Sequence, residues 1–217
     1  MLFRSLGETP FIVCGFDEQV AISNFLDFKC AQVDRVIASK QNSNELLKEH
    51  RQSIIYEAVT KGLDRNALMK DSGIEWIGAI PQGWNVRKLK YSADINNSKL
   101  SGQTDPDYEF EYIDIGSVTE FGEIVGTTKL SFEKSPSRAR MVVQKGDTIV
   151  STVRTYLKAI AHINESASYI CSTGFCVLSP LVGMDSKYLY YQTQSDYFVQ
   201  RIVSESVGVS YPAISSN

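Results

Sequence analysis

The stretch from Asp17 to Lys61 contains neither proline nor glycine. These two residues interrupt helices most strongly, so a run of this length predicts one continuous α-helix. At a rise of 1.5 Å per residue, the helix would be roughly 65 Å long. A compact domain of this size does not require so long a helix, and the sequence therefore raises the question of what the helix packs against.

Alternating spacings of three and four residues place a mainly apolar seam along this helix. The seam positions are Leu26, Cys30, Val33, Ile37, Lys40, Asn44, Leu47, Arg51, Ile54 and Ala58. One interpretation is a helix that lies on its own domain. The interpretation that we favour is a spacer helix that pairs with a similar helix, in parallel or antiparallel register, because the following domain is too short to cover the stripe. The polar centre at Lys40 and Asn44 would then fix the register.

The composition is that of a globular protein with one core and an extension, since 43% of the 217 residues are hydrophobic and 22% are charged. No apolar run approaches the roughly 18 residues that a membrane span needs, so we expect no membrane partner. The four cysteines form no Cys-x-x-Cys motif, and the two histidines lack the spacing of a zinc site. The sequence thus predicts free thiols, a cytoplasmic location and no metal site.

Charge is distributed unevenly within a net charge of −3. The segment from Asp94 to Glu123 is strongly acidic and contains Lys99 as its one basic residue, whereas the segment from Lys129 to Lys158 is strongly basic. Two interpretations stay open. The segments can form complementary faces that neutralise each other, or the basic segment can form a local surface that meets phosphates.

The positions of the glycine and proline residues divide the chain into four parts. We expect an irregular segment over residues 1–16, the spacer helix over 17–62, an ordered connector over 63–84 and a β-rich domain over 85–217. Short β-type runs with turn signals fill this domain up to about Pro180. A single C-terminal helix follows, which Asp185 or Ser186 can cap. The predicted fold class is α/β in the α+β sense.

Two clusters in this domain suit contacts to DNA. Arginine can grip guanine with two hydrogen bonds, hydroxyl groups can bond to phosphates or base edges, and glycine allows close backbone approach. Arg154 is the strongest candidate, and for each arginine the alternative is a solvated surface charge. We expect Tyr211 and Pro212 to form a packed turn. The candidate contacts are Arg138 and Arg140, in a loop after Pro136, and Ser151, Arg154, Thr155, Tyr156, Lys158, Ser206, Gly208 and Ser210.

No catalytic residue is predicted. The sequence contains no P-loop and no glycine-rich cofactor loop with an Asn/Asp-Pro-Pro-aromatic motif, as an adenine methyltransferase would need. Pro106-Asp107 and Asp185-Ser186-Lys187 are formal nuclease candidates, but they lie far apart in the sequence. We therefore expect a protein that is not an enzyme and binds no cofactor itself.

Four stretches resemble the specificity subunit of type I restriction–modification systems. DEQVAISNFLD with VDRVIASK is similar to the start of the family's spacer helix, and HRQSIIYEAVTKGLD is similar to its end. MKDSGIEWIGAIPQGWNVRKLK resembles the entry into a target-recognition domain and is the most specific of the four. SVGVSYPAIS resembles the segment that leaves this domain.

The resemblance implies a half subunit or truncated form with one target-recognition domain, which reads half of a bipartite double-stranded DNA site. It also implies docking of methyltransferase subunits that carry S-adenosylmethionine, an indirect association with a restriction subunit, and homodimerisation through the helix. A different class of function stays open, namely a dimeric protein-interaction module that regulates or inhibits a restriction complex.

Overall fold

The computed structural model describes residues 6–209 and 211–215. The chain divides into two compact units, Met1–His50 and Arg51–Asn217. In the first unit a short 3-10 turn, Leu6–Glu8, precedes the long helix α1. Helix α1 runs from Phe16 to Lys61 without interruption over 46 residues, and its last turns belong to the second unit. The predicted long N-terminal helix is thus confirmed. In the described residues, no helix is long and apolar enough to cross a membrane.

The end of α1 is set by a glycine. Gly62 has a φ of +78°, and its amide donates to the carbonyl of Ala58 at 3.2 Å. A Cβ at this position would lie 3.3 Å from the ring of Trp84. Ile55 and Val59 are buried within the second unit, so the last turns of α1 form part of its core.

A hairpin occupies the connector. Strand β1 (Met69–Asp71) pairs antiparallel with β2 (Ala79–Pro81). Trp76 lies in the loop that connects the two strands. The guanidinium of Arg201 lies 4.6 Å from the centre of the Trp76 ring. The connector is therefore an ordered, packed segment, although the predicted boundaries at residues 62 and 84 stay a prediction.

Two four-stranded sheets form the centre of the second unit. The first sheet has the order β3-β10-β7-β8 and is antiparallel throughout; its strands are β3 (Ala93–Ile95), β7 (Thr148–Ser151), β8 (Ile160–His162) and β10 (Phe175–Pro180). The second sheet has the order β5-β4-β9-β6; its strands are β4 (Glu109–Ile113), β5 (Thr128–Ser131), β6 (Ala139–Val143) and β9 (Tyr169–Ser172). Only β4 and β9 are parallel neighbours among these paired strands.

Alternation along the strands divides the core into three clusters. Successive residues of β10 point to opposite faces: Phe175 packs with residues of both sheets such as Ile113, whereas Leu178 packs towards the C-terminal helices. A third cluster around Phe110 lies on the other face of the second sheet. The β-rich domain thus has buried residues on both faces of each sheet.

Two helices, instead of the single one predicted, follow the sheets. Helix α2 spans Ser186–Gln194 and α3 spans Asp196–Glu205. The break lies at Ser195, whose backbone is extended with a ψ of 144° and whose side chain donates to the carbonyl of Gln192. The predicted cap is present, since the carboxylate of Asp185 accepts from the amide of Tyr188 at 2.8 Å. The α+β fold class is confirmed.

Candidate nucleic-acid interface

One edge of the β-rich domain gathers candidate contacts from distant parts of the chain. The amide of Thr173 donates to the carbonyl of Arg138 at 2.8 Å, and the amide of Thr152 donates to that of Gly174 at 2.9 Å. The amide of Ile214 donates in turn to the carbonyl of Thr152 at 3.0 Å. We term this surface the recognition edge, and it comprises Asp114, Arg138, Thr152–Lys158, Thr173–Gly174, Val207–Val209 and Tyr211–Ile214.

The turn after strand β7 has an unusual backbone. Arg154 and Lys158 adopt the left-handed conformation, with φ values of 52° and 55°, on either side of a 3-10 turn, Thr155–Leu157. Such conformations cost about 1–3 kcal/mol at residues other than glycine and persist only where surrounding contacts enforce them. Here the amides of Leu157 and Lys158 both donate within the turn at 2.9 Å. The turn therefore holds the exposed side chain of Tyr156 on a fixed backbone.

Two of the candidate hydroxyl contacts require correction. Ser151 is 1% exposed and donates to the carbonyl of Val153 at 2.6 Å. Thr155 is 2% exposed and donates to the carbonyl of Ser151 at 2.8 Å. Because both hydroxyls are buried and used inside the turn, these residues stabilise its backbone and leave the set of candidate DNA contacts.

Arg154 joins the two predicted clusters. Its amide donates to the carbonyl of Pro212 at 2.8 Å, next to an antiparallel bridge between Val153 and Ala213. Its guanidinium lies 4.1 Å from the centre of the Tyr211 ring, a cation–π distance. Tyr211 does lie in a turn, but its side chain is 66% exposed instead of packed.

Arg138 and Arg140 differ in their surroundings. Arg138 lies just before β6 on the recognition edge, where its guanidinium donates to the carboxylate of Asp114 at 3.1 Å. Arg140 lies within β6, so its predicted loop position is wrong. It donates to the carbonyl of Ala139 at 2.7 Å and stacks 4.6 Å from the ring centre of Phe132. Of the two, Arg138 is the one at the recognition edge.

Three basic residues of the positively charged segment are ion-paired. The ammonium of Lys158 contacts the carboxylate of Asp196 at the start of α3. Lys129 contacts Glu109 at 2.7 Å, and the hydrogen bond and charge of that carboxylate raise the pKa of Lys129. The pairs of Lys129 with Glu109 and of Arg138 with Asp114 join the basic segment to the acidic one, as the interpretation of complementary faces expects, whereas the partner of Lys158 lies outside the acidic segment.

The segment after α3 has mainly structural contacts. The hydroxyl of Ser206 donates to the carbonyl of Ile202 at 2.8 Å and closes the helix. Gly208 has a φ of +121°, and a Cβ there would lie 3.0 Å from the carbonyl oxygen of Tyr211. The turn therefore requires a glycine at position 208. Ser210, also a candidate contact, lies outside the described residues.

The seam positions of α1 are mostly exposed in this chain. Leu26, Val33, Ile37, Leu47 and Ile54 each leave between 49% and 65% of their surface accessible. Cys30, Lys40 and Asn44 are exposed as well, and Ala58 is half-buried. Arg51 differs, since it donates to the carbonyl of Phe121 at 3.3 Å. The role of these residues in helix pairing stays a prediction.

In the described residues, no three His, Cys, Asp or Glu side chains lie close enough together to hold a metal ion. Three contact partners of the candidate basic residues were not predicted from the sequence: Asp114 and Tyr211 on the recognition edge, and Asp196 at the start of α3. Each meets its arginine or lysine through a contact between residues far apart in sequence. A single sequence carries no signal for such pairs.

Similarity searches place the chain beside known proteins. No protein-family model matches it. A type I restriction enzyme specificity subunit, MjaVIII of Methanocaldococcus jannaschii, is 25% identical over 211 residues, which cover 91% of this chain and 47% of that protein. The chain thus spans about half the length of the curated relative that it matches.

Two solved structures are similar in fold and sequence. The HsdS subunit of Thermoanaerobacter tengcongensis has a TM-score of 0.56 and 32% identity over 63% of this chain and 36% of that one. A chain from a structural study of complex assembly and conformational transition of the type I R-M system has a TM-score of 0.57 and 31% identity, with the same coverage. The resemblance in the motifs is thereby confirmed: the chain is similar to specificity subunits of type I restriction–modification systems and has a single β-rich domain after its long helix.

Proposed function

We propose that this chain is a noncatalytic DNA-recognition subunit of a type I restriction–modification complex. Its β-rich domain reads one half of a bipartite double-stranded DNA site. It docks methyltransferase subunits, which bring S-adenosylmethionine, and a restriction subunit joins through that complex. A cytoplasmic location goes with this function, and the four cysteines, all free thiols, suit it.

The observation that carries the proposal is the recognition edge. It combines Arg154 on a rigid turn with Arg138 and the exposed ring of Tyr156, on loops that a two-sheet core holds in place. Arginines read guanine edges or phosphates, and loops on a rigid scaffold are the usual place for such contacts. The ion pair of Arg138 with Asp114 is exposed, so a phosphate can compete for this guanidinium.

Homodimerisation through α1 completes the proposal. Apolar seam residues that leave about half of their surface to water gain free energy when a second helix covers them. Two copies then supply two recognition domains, with the paired helices setting the distance between the half-sites. The exposed polar pair Lys40 and Asn44 would fix the register of the two helices.

Selection from a random duplex library, with and without a methyltransferase subunit, tests DNA recognition. We expect enrichment of one short half-site and a steep loss of binding as salt rises. Arg154→Ala should cost about 1–3 kcal/mol and relax one position of the half-site. Arg201→Ala, which removes an arginine stacked on Trp76, is the matched control and should leave the preference unchanged. A library without any enriched sequence, in both arms, would contradict the proposal.

The ion pairs of the basic segment favour a second candidate function. Lys129, Arg138 and Lys158 are each neutralised by a carboxylate, as expected for a surface that does not meet phosphates. The chain would then be a dimeric protein-interaction module that regulates or inhibits a restriction complex. Salt separates the two functions, because specific DNA binding through several phosphates weakens steeply with salt. Inhibition of a restriction complex without any DNA preference of the chain itself would favour the second.

A further inference from the structure

We propose that Tyr211 is a positioning residue that holds Arg154 in its base-reading orientation. The inference rests on the proposed DNA-recognition function and names a residue through which it works. The central observation is that the guanidinium of Arg154 lies 4.1 Å from the centre of the Tyr211 ring, while the two residues are far apart in sequence.

The backbone on both sides of the stack is fixed. The bridge between Val153 and Ala213 and the 2.8 Å hydrogen bond from the Arg154 amide to Pro212 join the two segments. The left-handed backbone of Arg154 sets the direction in which its side chain leaves the turn. Gly208, with a φ of +121°, allows the opposite segment to fold back against Tyr211. Backbone hydrogen bonds therefore hold the two segments together and bring the ring and the guanidinium into contact.

A guanidinium stacked on an aromatic face keeps its N–H donors in its own plane. The 4.1 Å contact with the ring restricts rotation of the arginine side chain. Reading guanine with two hydrogen bonds requires a defined orientation of the guanidinium. Ordering the side chain before binding removes part of the entropy cost of the contact.

Two other stacked arginines provide a comparison. Arg140 on Phe132 and Arg201 on Trp76 both lie at 4.6 Å. Arg140 also donates to the backbone carbonyl of Ala139, and Arg201 also contacts the carboxylate of Glu205. The Arg154 stack is the one that lies on the recognition edge, and the Trp76 stack supplies a control away from it.

Nuclear magnetic resonance of the full chain without DNA tests the stack first. The side-chain protons of Arg154 should show an upfield ring-current shift, which Tyr211→Phe keeps and Tyr211→Leu removes. Wild-type protein without this shift would overturn the positioning role, whatever the chain binds. Trp76→Leu should leave the Arg154 signals in place.

Duplex selection on the same variants, with the methyltransferase subunit, tests the consequence. An exposed cation–π contact corresponds to a factor of about two to five. Tyr211→Leu should lower discrimination by that factor at the same base pair that Arg154→Ala relaxes, with no further loss in the double variant. Tyr211→Phe should retain the wild-type profile. Loss spread evenly over all sequences, or at a different base pair, would overturn the inference. Absence of any preference in wild type, with the ring-current shift present, would instead overturn the proposed DNA recognition and with it the reading role of the stack.

Discussion

The two units of this chain differ in how far their apolar side chains are exposed to water. In the β-rich domain, Ile113, Ile149 and Phe175 are at most 1% exposed and pack between two sheets. Along α1, Leu26 and Ile37 have similar chemistry, yet about half of their surface is accessible. The β-rich domain therefore completes its own core, whereas the helix leaves apolar side chains accessible to water, as the proposed helix pairing requires.

Alanine substitution of one buried and one exposed apolar residue tests this difference with the largest expected effect. Phe175→Ala should lower the free energy of unfolding by about 3–5 kcal/mol, because it removes a buried ring and leaves a cavity. Leu26→Ala should lower it far less in dilute protein, since the leucine is half exposed. Urea denaturation at low protein concentration measures both. Equal losses for the two variants would mean that α1 is packed as tightly as the domain.

Thiol reactivity compares the same two regions without a substitution. Burial raises the pKa of Cys176 to about 11 and raises that of Cys171 above its usual range, whereas Cys30 on α1 is exposed. A raised thiol pKa leaves less thiolate at pH 8, by about a hundredfold for a shift of two units. Cys30 should therefore react rapidly with a disulfide reagent, and Cys176 at least about a hundredfold more slowly, with a rate that increases as the pH rises towards 11. Comparable rates for both thiols would contradict the assignment of a closed core.

Two adjacent leucines of α1 test whether helix pairing follows the predicted seam. Leu47 lies on the predicted seam and Leu46 does not, although the two are similarly exposed at 65% and 57%. Burying a leucine contributes about 1.5–3 kcal/mol, so Leu47→Glu should weaken self-association tenfold or more. Leu46→Glu is the matched control and should change it little. Sedimentation equilibrium measures both constants. Equal effects of the two substitutions would show that pairing does not follow the seam.

Glycine at position 208 gives the smallest expected effect on stability. Gly208→Ala should lower the free energy of unfolding by about 1–2 kcal/mol, because its φ is positive and its Cβ would press on the Tyr211 carbonyl. It should also blur the base preference through the Arg154 turn. Gly183→Ala is the control, since Gly183 has a φ of +86° and open space around it. Thermal unfolding and duplex selection serve as readouts, and a Gly208→Ala protein with unchanged base preference would separate the glycine from recognition.

The sequence is informative where structure is local. The breaker-free run predicts α1 to within a residue of its start, and Asp185 predicts the cap of α2. It predicts one C-terminal helix where two exist, because nothing in the residues around Ser195 resembles a proline or glycine break. The recognition edge is non-local: Thr173 bonds to Arg138 and Gly174 bonds to Thr152 because these two residues connect a strand of one sheet to a strand of the other. Burial of Ser151 and Thr155 depends on the same tertiary packing, so a cluster of hydroxyls in the sequence did not indicate which of them face water.

Insertion of one heptad between Ser39 and Lys40 tests most directly the proposal that the helix sets the spacing of the half-sites and the β-rich domain reads their bases. Seven residues lengthen a helix by about 10 Å and keep the period of the seam, which corresponds to about three base pairs of DNA. Duplex selection with the methyltransferase subunit should then yield the same half-site bases, separated by a longer spacer. An unchanged spacer, or different bases in the half-sites, would contradict the account of a helix that sets distance and a domain that reads sequence.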